Sequence, residues 1–339
     1  MATIEWHQGF KGCSTNNDAI SFFAVKSGNI QASVSYSTTG GFNNGPSVKG
    51  FNPGAYPVGV VDIIPRKTVV VGFFIRDIGV YDTLSYYASY PYTTFIRVKA
   101  STSYLVVQNT TTGIKFAKNG VILAGNATPI TKDIHHVEVK VFSDAINGTF
   151  QLKLDGALII DESGLNTSGS DIEEVLFGTM NCNQYYSEMF IADDWIGELK
   201  HEICYPTSDH SVAFTPTSGT DNYAMVDDAG THDGDTTTVS ASASGTKDLY
   251  GYTDLPAGLN VKCATVVTPA KKDDVGTVVL NVLAKQDSTE YELDSKALAT
   301  AYPSGTGTAP TKVVPTQPDG TPWGDSSTFN DIYWGFGVD

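Results

Sequence analysis

Residues 135–162 read HHVEVKVFSDAINGTFQLKLDGALIIDE, and residues 175–195 read VLFGTMNCNQYYSEMFIADDW. In the first stretch valine alternates with Glu138 and Lys140, which is the period of a half-buried β-strand. Asn147 and Gly148 then predict a tight hairpin turn, because both residues tolerate the positive φ that such turns need. A second alternating strand ends at an Asp-Gly pair, which predicts another turn before an apolar third strand. The sequence therefore predicts three consecutive antiparallel strands.

The rest of the chain predicts the same class of structure. No stretch of a dozen residues has apolar side chains at the i, i+3, i+4, i+7 spacing of an amphipathic helix, whereas alternating β-branched and aromatic residues recur throughout. A length of 339 residues favours about two domains. We predict an all-β protein with a jelly-roll sandwich over residues 1–203, a linker over 204–220 and a smaller β-sandwich over 221–339.

The second half of the chain has short apolar segments separated by loops rich in Ser, Thr, Gly and Asp. Its best helical candidate, Ser295–Tyr302, is short and stops at a proline. Six strands are predicted there: Tyr223–Val226, Thr236–Ser240, Asp248–Tyr252, Leu259–Thr268, Gly276–Ala284 and Glu290–Leu293.

The formal net charge of −16 disfavours binding to nucleic acid or to an anionic membrane surface. No apolar stretch reaches the roughly 20 residues that span a bilayer, so we expect no membrane insertion. The first residues lack a basic segment followed by an apolar run, which predicts that no signal peptide is present. The four cysteines are far apart and form no C-x-x-C pair, so we expect reduced thiols rather than two disulfides.

The order of these segments resembles the concanavalin A-like, or laminin-G-like, jelly roll in the version found in virion proteins of tailed bacteriophages. The resemblance lies in an H-x-E-V-K-V strand, a strand ending in Asp-Gly, an apolar strand, and a late strand that places an aliphatic residue before Asp-Asp. It covers roughly the first 200 residues. The matching segments are Thr68–Arg76, His136–Val141, Gly148–Gly156, Ala157–Ile160 and Phe190–Trp195.

The second half also resembles a module that follows the jelly roll in phage virion proteins. That module has a D-x-D-T-x-x-V-S segment, then D-x-Y-x-x-x-D-L-P, two long strands, a tryptophan and a terminal aromatic-glycine run. The corresponding segments are Asp233–Ser240, Asp248–Pro256, Val261–Ala284, Trp323 and Phe329–Val338. Two modules in the same order strengthen the resemblance, which implies assembly onto a virion made in the cytoplasm of a bacterial host.

The sequence predicts no catalytic site. Jelly-roll glycosidases carry acidic residues in an E-x-D-x-x-E or E-x-D-x-E pattern, because a retaining mechanism needs two carboxyl groups about 5–5.5 Å apart. This chain has neither pattern. Asp171 and Glu173 have the i, i+2 spacing, but they lack a third acidic residue and begin in a loop. We therefore expect a protein that is not an enzyme and that has no cofactor other than a calcium ion.

Asp193 and Asp194 are the candidate metal ligands. Acidic residues on loops of calcium-binding relatives of this fold supply the oxygen ligands that Ca²⁺ prefers. Adjacent strand residues face opposite ways, so only one of the pair can join a given surface site. The alternative is that these aspartates accept hydrogen bonds from backbone amides at the end of a strand.

Tyrosines are concentrated in two places, residues 81–92 and residues 185–186. Exposed tyrosines stack on sugar rings or anchor protein interfaces, and otherwise they fill the edge of a sandwich. Because tyrosine is enriched in protein contacts generally, the sequence favours an interface over a sugar site. The candidate ligand or interface residues are Tyr86, Tyr87, Tyr90, Tyr92, Tyr185 and Tyr186.

Taken together, the sequence predicts a non-enzymatic virion structural protein, such as a capsid decoration, head-fibre or tail-associated component. Its expected partners are other capsid or tail proteins and further copies of itself in a homo-oligomer. Many weak contacts on a repeated lattice would act together through multivalency. The alternative is a carbohydrate-binding or receptor-binding module that recognises a host surface polysaccharide.

Overall fold

The computed structural model describes residues 2–8, 34–37, 47–52, 59–77, 92–110, 112–131, 133–180, 182–228, 233–273, 275–302 and 311–339. Strands account for 55% of the structure and helices for 3%, so the prediction of an all-β fold is confirmed. The described residues form two compact units, one ending at His201 and the other running from Glu202 to Asp339. No described helix has the length and apolar character needed to cross a membrane.

The first unit contains an eight-stranded antiparallel sheet, here called the first sheet. Its strand order is β12-β11-β10-β5-β14-β3-β2, and β1 also pairs with β14. The strands are β1 (Ile4–Gln8), β2 (Val34–Ser37), β3 (Ser47–Asn52), β5 (Thr68–Asp77), β10 (Ile134–Phe142), β11 (Gly148–Leu154), β12 (Ala157–Leu165) and β14 (Cys182–Ala192).

A six-stranded antiparallel sheet, here called the second sheet, packs against the first. Its order is β4-β13-β6-β7-β8-β9. The strands are β4 (Gly59–Arg66), β6 (Tyr92–Ala100), β7 (Ser103–Thr110), β8 (Gly113–Lys118), β9 (Val121–Asn126) and β13 (Ile172–Met180). Two facing sheets of this size are consistent with the predicted jelly-roll sandwich.

The three strands of the decisive stretch form in the predicted order, but the turn predicted at Asn147 and Gly148 is wrong. A five-residue loop follows Phe142, Gly148 is already the first residue of β11, and neither Asn147 nor Gly148 has a positive φ. β10, β11 and β12 are consecutive antiparallel neighbours, with Val139 opposite Leu152. Asp155 and Gly156 both have positive φ, 51° and 80°, which gives the tight turn between β11 and β12. The alternation of valines therefore sets one face of β10 toward the core.

Aromatic side chains join the two sheets. The ring of Phe116 on β8 stacks on that of Phe150 on β11, with centroids 3.9 Å apart. Phe73 on β5 meets Phe177 on β13 edge-on, with centroids 5.9 Å apart. These four side chains are fully buried, and truncating such a phenylalanine to alanine typically costs about 3–5 kcal/mol. The sandwich core therefore lies between these pairs.

The outer face of the first sheet is also covered. Phe190 and Phe74 point outward from β14 and β5, yet they are 0% and 4% exposed. A Cβ atom on Gly72 would lie 2.0 Å from the ring of Phe190, so only glycine lets this ring lie flat on β5. The segment Asp193–His201, which follows β14 and is called the strap below, is hydrogen-bonded to this face.

The carboxylate of Glu138 holds the strap against the sheet. Its Oε1 accepts hydrogen bonds from the backbone N–H groups of Ile196 and Gly197, at 3.0 and 2.9 Å. Glu138 is 1% exposed although it occupies a polar position of the alternating strand. The strap therefore turns a predicted solvent-facing residue into a buried hydrogen-bond acceptor.

The second unit is built on a five-stranded antiparallel sheet in the order β15-β18-β23-β20-β21, here called the third sheet. Two pairs of short strands and the five-residue helix α1 complete the unit. The elements are β15 (Pro206–Ser211), β16 (Thr215–Pro216), β17 (Val239–Ser240), β18 (Thr246–Tyr252), β19 (Ala264–Val267), β20 (Val279–Gln286), β21 (Thr289–Ala297), β22 (Thr311–Val314), α1 (Ser326–Asn330) and β23 (Ile332–Val338).

Several sequence-derived boundaries differ from the structure of the second unit. Residues 204–220, predicted as a linker, include β15, which forms one edge of the third sheet. Tyr223–Met225 is a 3₁₀ turn rather than a strand. The helical candidate at Ser295–Tyr302 begins inside β21 and contains no helix.

One buried carboxylate organises the polar interior of the second unit. Asp248 on β18 accepts hydrogen bonds from the backbone N–H groups of Ala213 and Phe214, at 2.6 and 2.8 Å. It also accepts from the Asn222 amide at 2.8 Å and from the Tyr250 hydroxyl at 2.6 Å. Asp248 is 0% exposed. The D-x-Y segment noted in the sequence thus ties a loop to the sheet.

Trp323 and the terminal aromatic run, which belong to the same sequence resemblance as the D-x-Y segment, form a hydrophobic core in the second unit. Trp323 packs near Trp334 and Phe329, and its indole N–H donates to the carbonyl of Val314 at 2.9 Å. Both tryptophans are nearly fully buried. These motif residues therefore stabilise the second unit instead of forming an exposed surface.

We predict that Asp248→Ala lowers the free energy of unfolding by roughly 3 kcal/mol, because it leaves buried donors without an acceptor. Urea unfolding followed by tryptophan fluorescence measures the change. The control is Asp273→Ala, since the Asp273 side chain is 92% exposed, and this variant should unfold like the wild type. Equal stability of both variants would contradict the role assigned to Asp248.

Candidate functional site

The predicted metal ligands Asp193 and Asp194 each have partners within the protein. Asp193 Oδ1 accepts from the backbone N–H of Thr3 at 2.6 Å. Asp194 Oδ1 accepts from Lys140 Nζ at 2.7 Å and from the N–H of Trp195 at 2.9 Å. The bond from Lys140 lowers the pKa of Asp194. The two carboxylates therefore fix the start of the strap.

No group of three or more His, Cys, Asp or Glu side chains in the described ranges is placed to hold a metal ion. Calcium binding at Asp193 and Asp194 stays a prediction. The contacts of the pair match the alternative stated from the sequence, in which the aspartates accept backbone hydrogen bonds at a strand end.

The predicted tyrosines lie in different environments. Tyr86, Tyr87 and Tyr90 lie outside the described residues, and so does the side chain of Tyr92, which begins β6. Tyr185 is half-buried.

Tyr186 corrects one part of the tyrosine prediction. Its side chain is 0% exposed, packs against Phe73 and Phe177, and donates its hydroxyl to Gln184 Oε1. Adjacent residues of a strand face opposite sides of the sheet, and Tyr186 takes the inward position. Tyr186 is therefore a core residue and offers no surface to a ligand or a partner.

A chain of three titratable side chains closes the far end of the strap. The backbone N–H of His201 donates to Glu188 Oε2 at 2.9 Å, and the ring Nδ1 of His201 bonds to the same oxygen. The Nε2 of His201 lies 2.6 Å from Nδ1 of His7 on β1. Glu188 sits in a bulge of β14 with φ of 48°, a conformation that residues other than glycine adopt rarely.

The protons of this chain have one simple arrangement when both histidines are neutral. His7 donates from Nδ1 to His201, and His201 donates from Nδ1 to the Glu188 carboxylate. Protonating both imidazoles would bring two N–H groups face to face across 2.6 Å. Burial, together with the charge of His201, lowers the pKa of His7 well below its usual value of 6.5.

This chain predicts a pH-dependent stability. Because the pKa of His7 is lowered in the folded state, the unfolded chain takes up the proton first as the pH falls below about 6.5. The stabilisation is therefore complete above pH 6.5 and decreases below it, by up to about 1.4 kcal/mol per pH unit for one proton. Replacing His7 by asparagine should reduce the slope of unfolding free energy against pH between 6.5 and 5. Equal slopes in both proteins would contradict the prediction.

The strongest candidate for a functional surface is the outer side of the second sheet. Strand alternation points Ile96, Val98, Leu105 and Val107 into the core, so the residues between them face outward. The polar and small side chains on the outer side of β6, β7, β8 and β13 form what is called the polar face: Arg97, Lys99, Tyr104, Val106, Gln108, Lys115 and Glu174. Leu176, opposite Arg97 on β13, lies on the same side and is 7% exposed.

Arg97 and Tyr104 form the centre of the polar face. The guanidinium carbon of Arg97 lies 4.7 Å from the centroid of the Tyr104 ring, within range of a cation–π interaction. Both side chains are half-buried. Burial lowers the pKa of Arg97, whereas the Tyr104 interaction acts in the opposite direction. The buried Nε of Arg97 has no hydrogen-bond acceptor among the described residues.

Lys99 has a very different environment from Arg97. Its Nζ lies 2.8 Å from Glu173 and 3.0 Å from Glu174, and these hydrogen bonds raise the pKa of Lys99. Glu174 is 8% exposed, so its ion pair with Lys99 is largely shielded from solvent. This part of the polar face is therefore internally neutralised.

Val106, Gln108 and Lys115 complete the polar face on the side away from β13. Val106 is opposite Arg97, and Gln108 is opposite Lys115. A Cβ atom on Gly125 would lie 3.3 Å from Lys115 Nζ, so the lysine side chain extends across β9 where glycine leaves room. The face thus presents an aromatic ring, an amide, two cations and a small apolar floor.

Nothing in the predicted site residues pointed to this surface. The signal was present in the run FIRVKASTSYLVVQ, residues 95–108, where apolar residues alternate with Arg97 and Lys99 and then with Tyr104 and Gln108. A turn at residues 101–102 brings the two halves into register, and Ser101 has φ of 57°. The hairpin places Arg97, Lys99, Tyr104 and Gln108 on one face.

No family model and no curated protein matches the chain. Among solved structures, domain 4 of the extracellular arabinanase AbnA from Geobacillus stearothermophilus shares 10% identity with a TM-score of 0.34, over 57% of this chain and 93% of that one. Galectin LEC-6 from Caenorhabditis elegans shares 12% identity with a TM-score of 0.30, over 42% and 94%. The carbohydrate-binding module CBM66 from Bacillus subtilis shares 13% identity with a TM-score of 0.30, over 46% and 94%.

Proposed function

We propose that this chain is a non-catalytic carbohydrate-binding module and that the polar face contacts a surface polysaccharide. The combination of Tyr104, Arg97, Gln108 and Lys115 on one sheet face carries the proposal. Sugar rings offer hydroxyl groups to polar side chains and C–H groups to an aromatic ring. A regular sheet holds such side chains at fixed spacing, so little conformational entropy is lost when a ligand binds.

The carboxylates near the polar face support a binding role rather than hydrolysis. A glycosidase needs one carboxyl group that stays protonated near neutral pH and a second that stays ionised. Glu173 and Glu174 are instead bridged by the ammonium group of Lys99. Both carboxylates are hydrogen-bonded to one ammonium group, which is not the arrangement of two carboxyl groups on opposite sides of a glycosidic bond that hydrolysis needs.

A glycan array followed by titration calorimetry on the best ligand tests this function. Tyr104→Ala should weaken binding at least about 10-fold, since aromatic contacts and the position of Arg97 are lost together. The matched control is Tyr205→Ala, because Tyr205 is 40% exposed and lies in the second unit. No binding of the wild-type protein to any glycan would overturn the proposal.

Assembly on a bacteriophage particle is the second candidate function, and a separate surface favours it. The edge strands β9 and β12 expose Val121, Ile122 and Leu158 by 65%, 61% and 47%. Unpaired strand edges with apolar side chains are ready to contact other proteins. The resemblance of both halves of the sequence to virion modules points to the same role.

Particles from infected cells test the assembly role directly. If the protein is a virion component, purified particles should contain its peptides in a fixed ratio to the capsid protein. Replacing Val121 and Ile122 by lysine should reduce incorporation, because charges would be placed in the contact. The control is Val275→Lys, since Val275 is 97% exposed and belongs to the second unit. Particles that lack the wild-type protein would exclude this function.

A further inference from the structure

We propose that the polar face selects acidic saccharides, with Arg97 binding a sugar carboxylate and Lys115 contributing the second cation. This inference rests on the proposed carbohydrate-binding function and names its substrate class. The recognised chemistry is that of a uronic acid, whose carboxylate is planar like the guanidinium group of arginine. Arginine can donate two parallel hydrogen bonds to such a group.

Arg97 has no anionic partner in the part of the chain that the structure describes. Its side chain is half-buried, its Nε is inaccessible to water, and no carboxylate in the described ranges pairs with it. Removing a cation from water without a counter-charge is costly, and the Tyr104 ring compensates only in part. An unpaired, partly buried guanidinium is therefore best explained by an anion that arrives with the ligand.

The lack of an anionic partner for Arg97 is unexpected in a chain with this many carboxylates. The chain carries a net charge of −16, so carboxylates greatly outnumber basic groups. Several cations of the first unit have acidic partners: Lys99 pairs with Glu173 and Glu174, and Lys140 pairs with Asp194. Arg97 lies directly beside one of these pairs and takes no part in it. Lys153 lies over the Trp195 ring, as Arg97 lies over Tyr104, but only Arg97 of the two has a buried nitrogen without a hydrogen-bond acceptor among the described residues.

Lys115 supplies a second cation on the same face. It has no carboxylate partner among the described residues, and its side chain lies across Gly125 at the sheet edge. Arg97 is on β6 and Lys115 on β8, strands that lie two spacings or about 10 Å apart with β7 between them, and the Lys115 ammonium group lies further out over β9. Val106 and Gln108 on β7 lie between the two cations, where the sugar rings would rest.

The acidic ligand is a saccharide rather than nucleic acid. An overall charge of −16 opposes long-range attraction to a polyphosphate, and salt-dependent phosphate binding needs many basic groups together. Two cations around an aromatic ring and an amide fit a short stretch of sugar with few charges. A local positive site in an acidic protein thus favours a specific, short-range contact.

The test compares a trigalacturonate probe with galactotriose, a neutral sugar of similar size, by titration calorimetry with the full chain. The wild type should bind the acidic probe at least about 10-fold more tightly than the neutral one, as expected for a charge-assisted pair. Arg97→Gln should abolish most of this preference, and Lys115→Gln should reduce it. Arg76→Gln is the matched control, because Arg76 is exposed on the first sheet.

A stability measurement separates loss of the ligand contact from loss of the fold. Because Arg97 is unpaired without ligand, Arg97→Gln should leave the thermal midpoint unchanged or raise it. A lower midpoint together with weaker binding of both probes would overturn the proposal, since it would assign Arg97 a structural role. Equal binding of both probes by the wild type would overturn the acidic specificity alone. Binding of neither probe nor of any arrayed glycan would overturn the carbohydrate-binding function itself.

Discussion

The carboxylate of Glu138 accepts hydrogen bonds from two backbone amides of the strap while it lies almost without exposure on the outer face of the first sheet. A buried carboxylate of this kind is stable only when donors surround it, so the strap and the sheet depend on each other. Phe74 and Phe190 are buried on the same outer face to which the strap is hydrogen-bonded. The strap thus occupies part of the outer face of the first sheet. The outer face of the second sheet carries the polar side chains and the aromatic ring of the proposed site.

Local patterns were enough to predict β10, β11 and β12 of the first unit, though not the loop between β10 and β11. Alternation in β10 and the Asp-Gly turn at 155–156 act over a few residues, and both are found as expected. The burial of His136 and Glu138 could not be predicted in the same way, because the strap that covers them comes more than 50 residues later. Period-2 patterning says which residues share a face, and only tertiary contacts decide whether that face meets solvent.

The second unit shows the same limit with different chemistry. Short segments that read as strands, such as Tyr223–Val226, are bent by hydrogen bonds from their backbone to Asp209, as at Tyr223 N–H. The D-x-Y segment and Trp323 looked like markers of a virion module, and the structure gives each of them a stabilising role inside the unit. Residues that build a core are required by packing. Their order in the sequence is therefore evidence about how the unit folds, and it does not identify the partners of the unit.

The polar face differs from the rest of the molecule in how its charges are balanced. Asp194, Glu138, Glu188 and Asp248 all have donors arranged around them, and each of these contacts stabilises the chain by itself. Arg97 differs from these carboxylates, because it makes a cation–π contact with Tyr104 and no ion pair with a described residue. Functional residues often lack the internal partners that structural residues have, because those partners would compete with the ligand. The proposed ligand site rests on this contrast, an arginine with an unsatisfied nitrogen inside a fold whose other buried charges have partners.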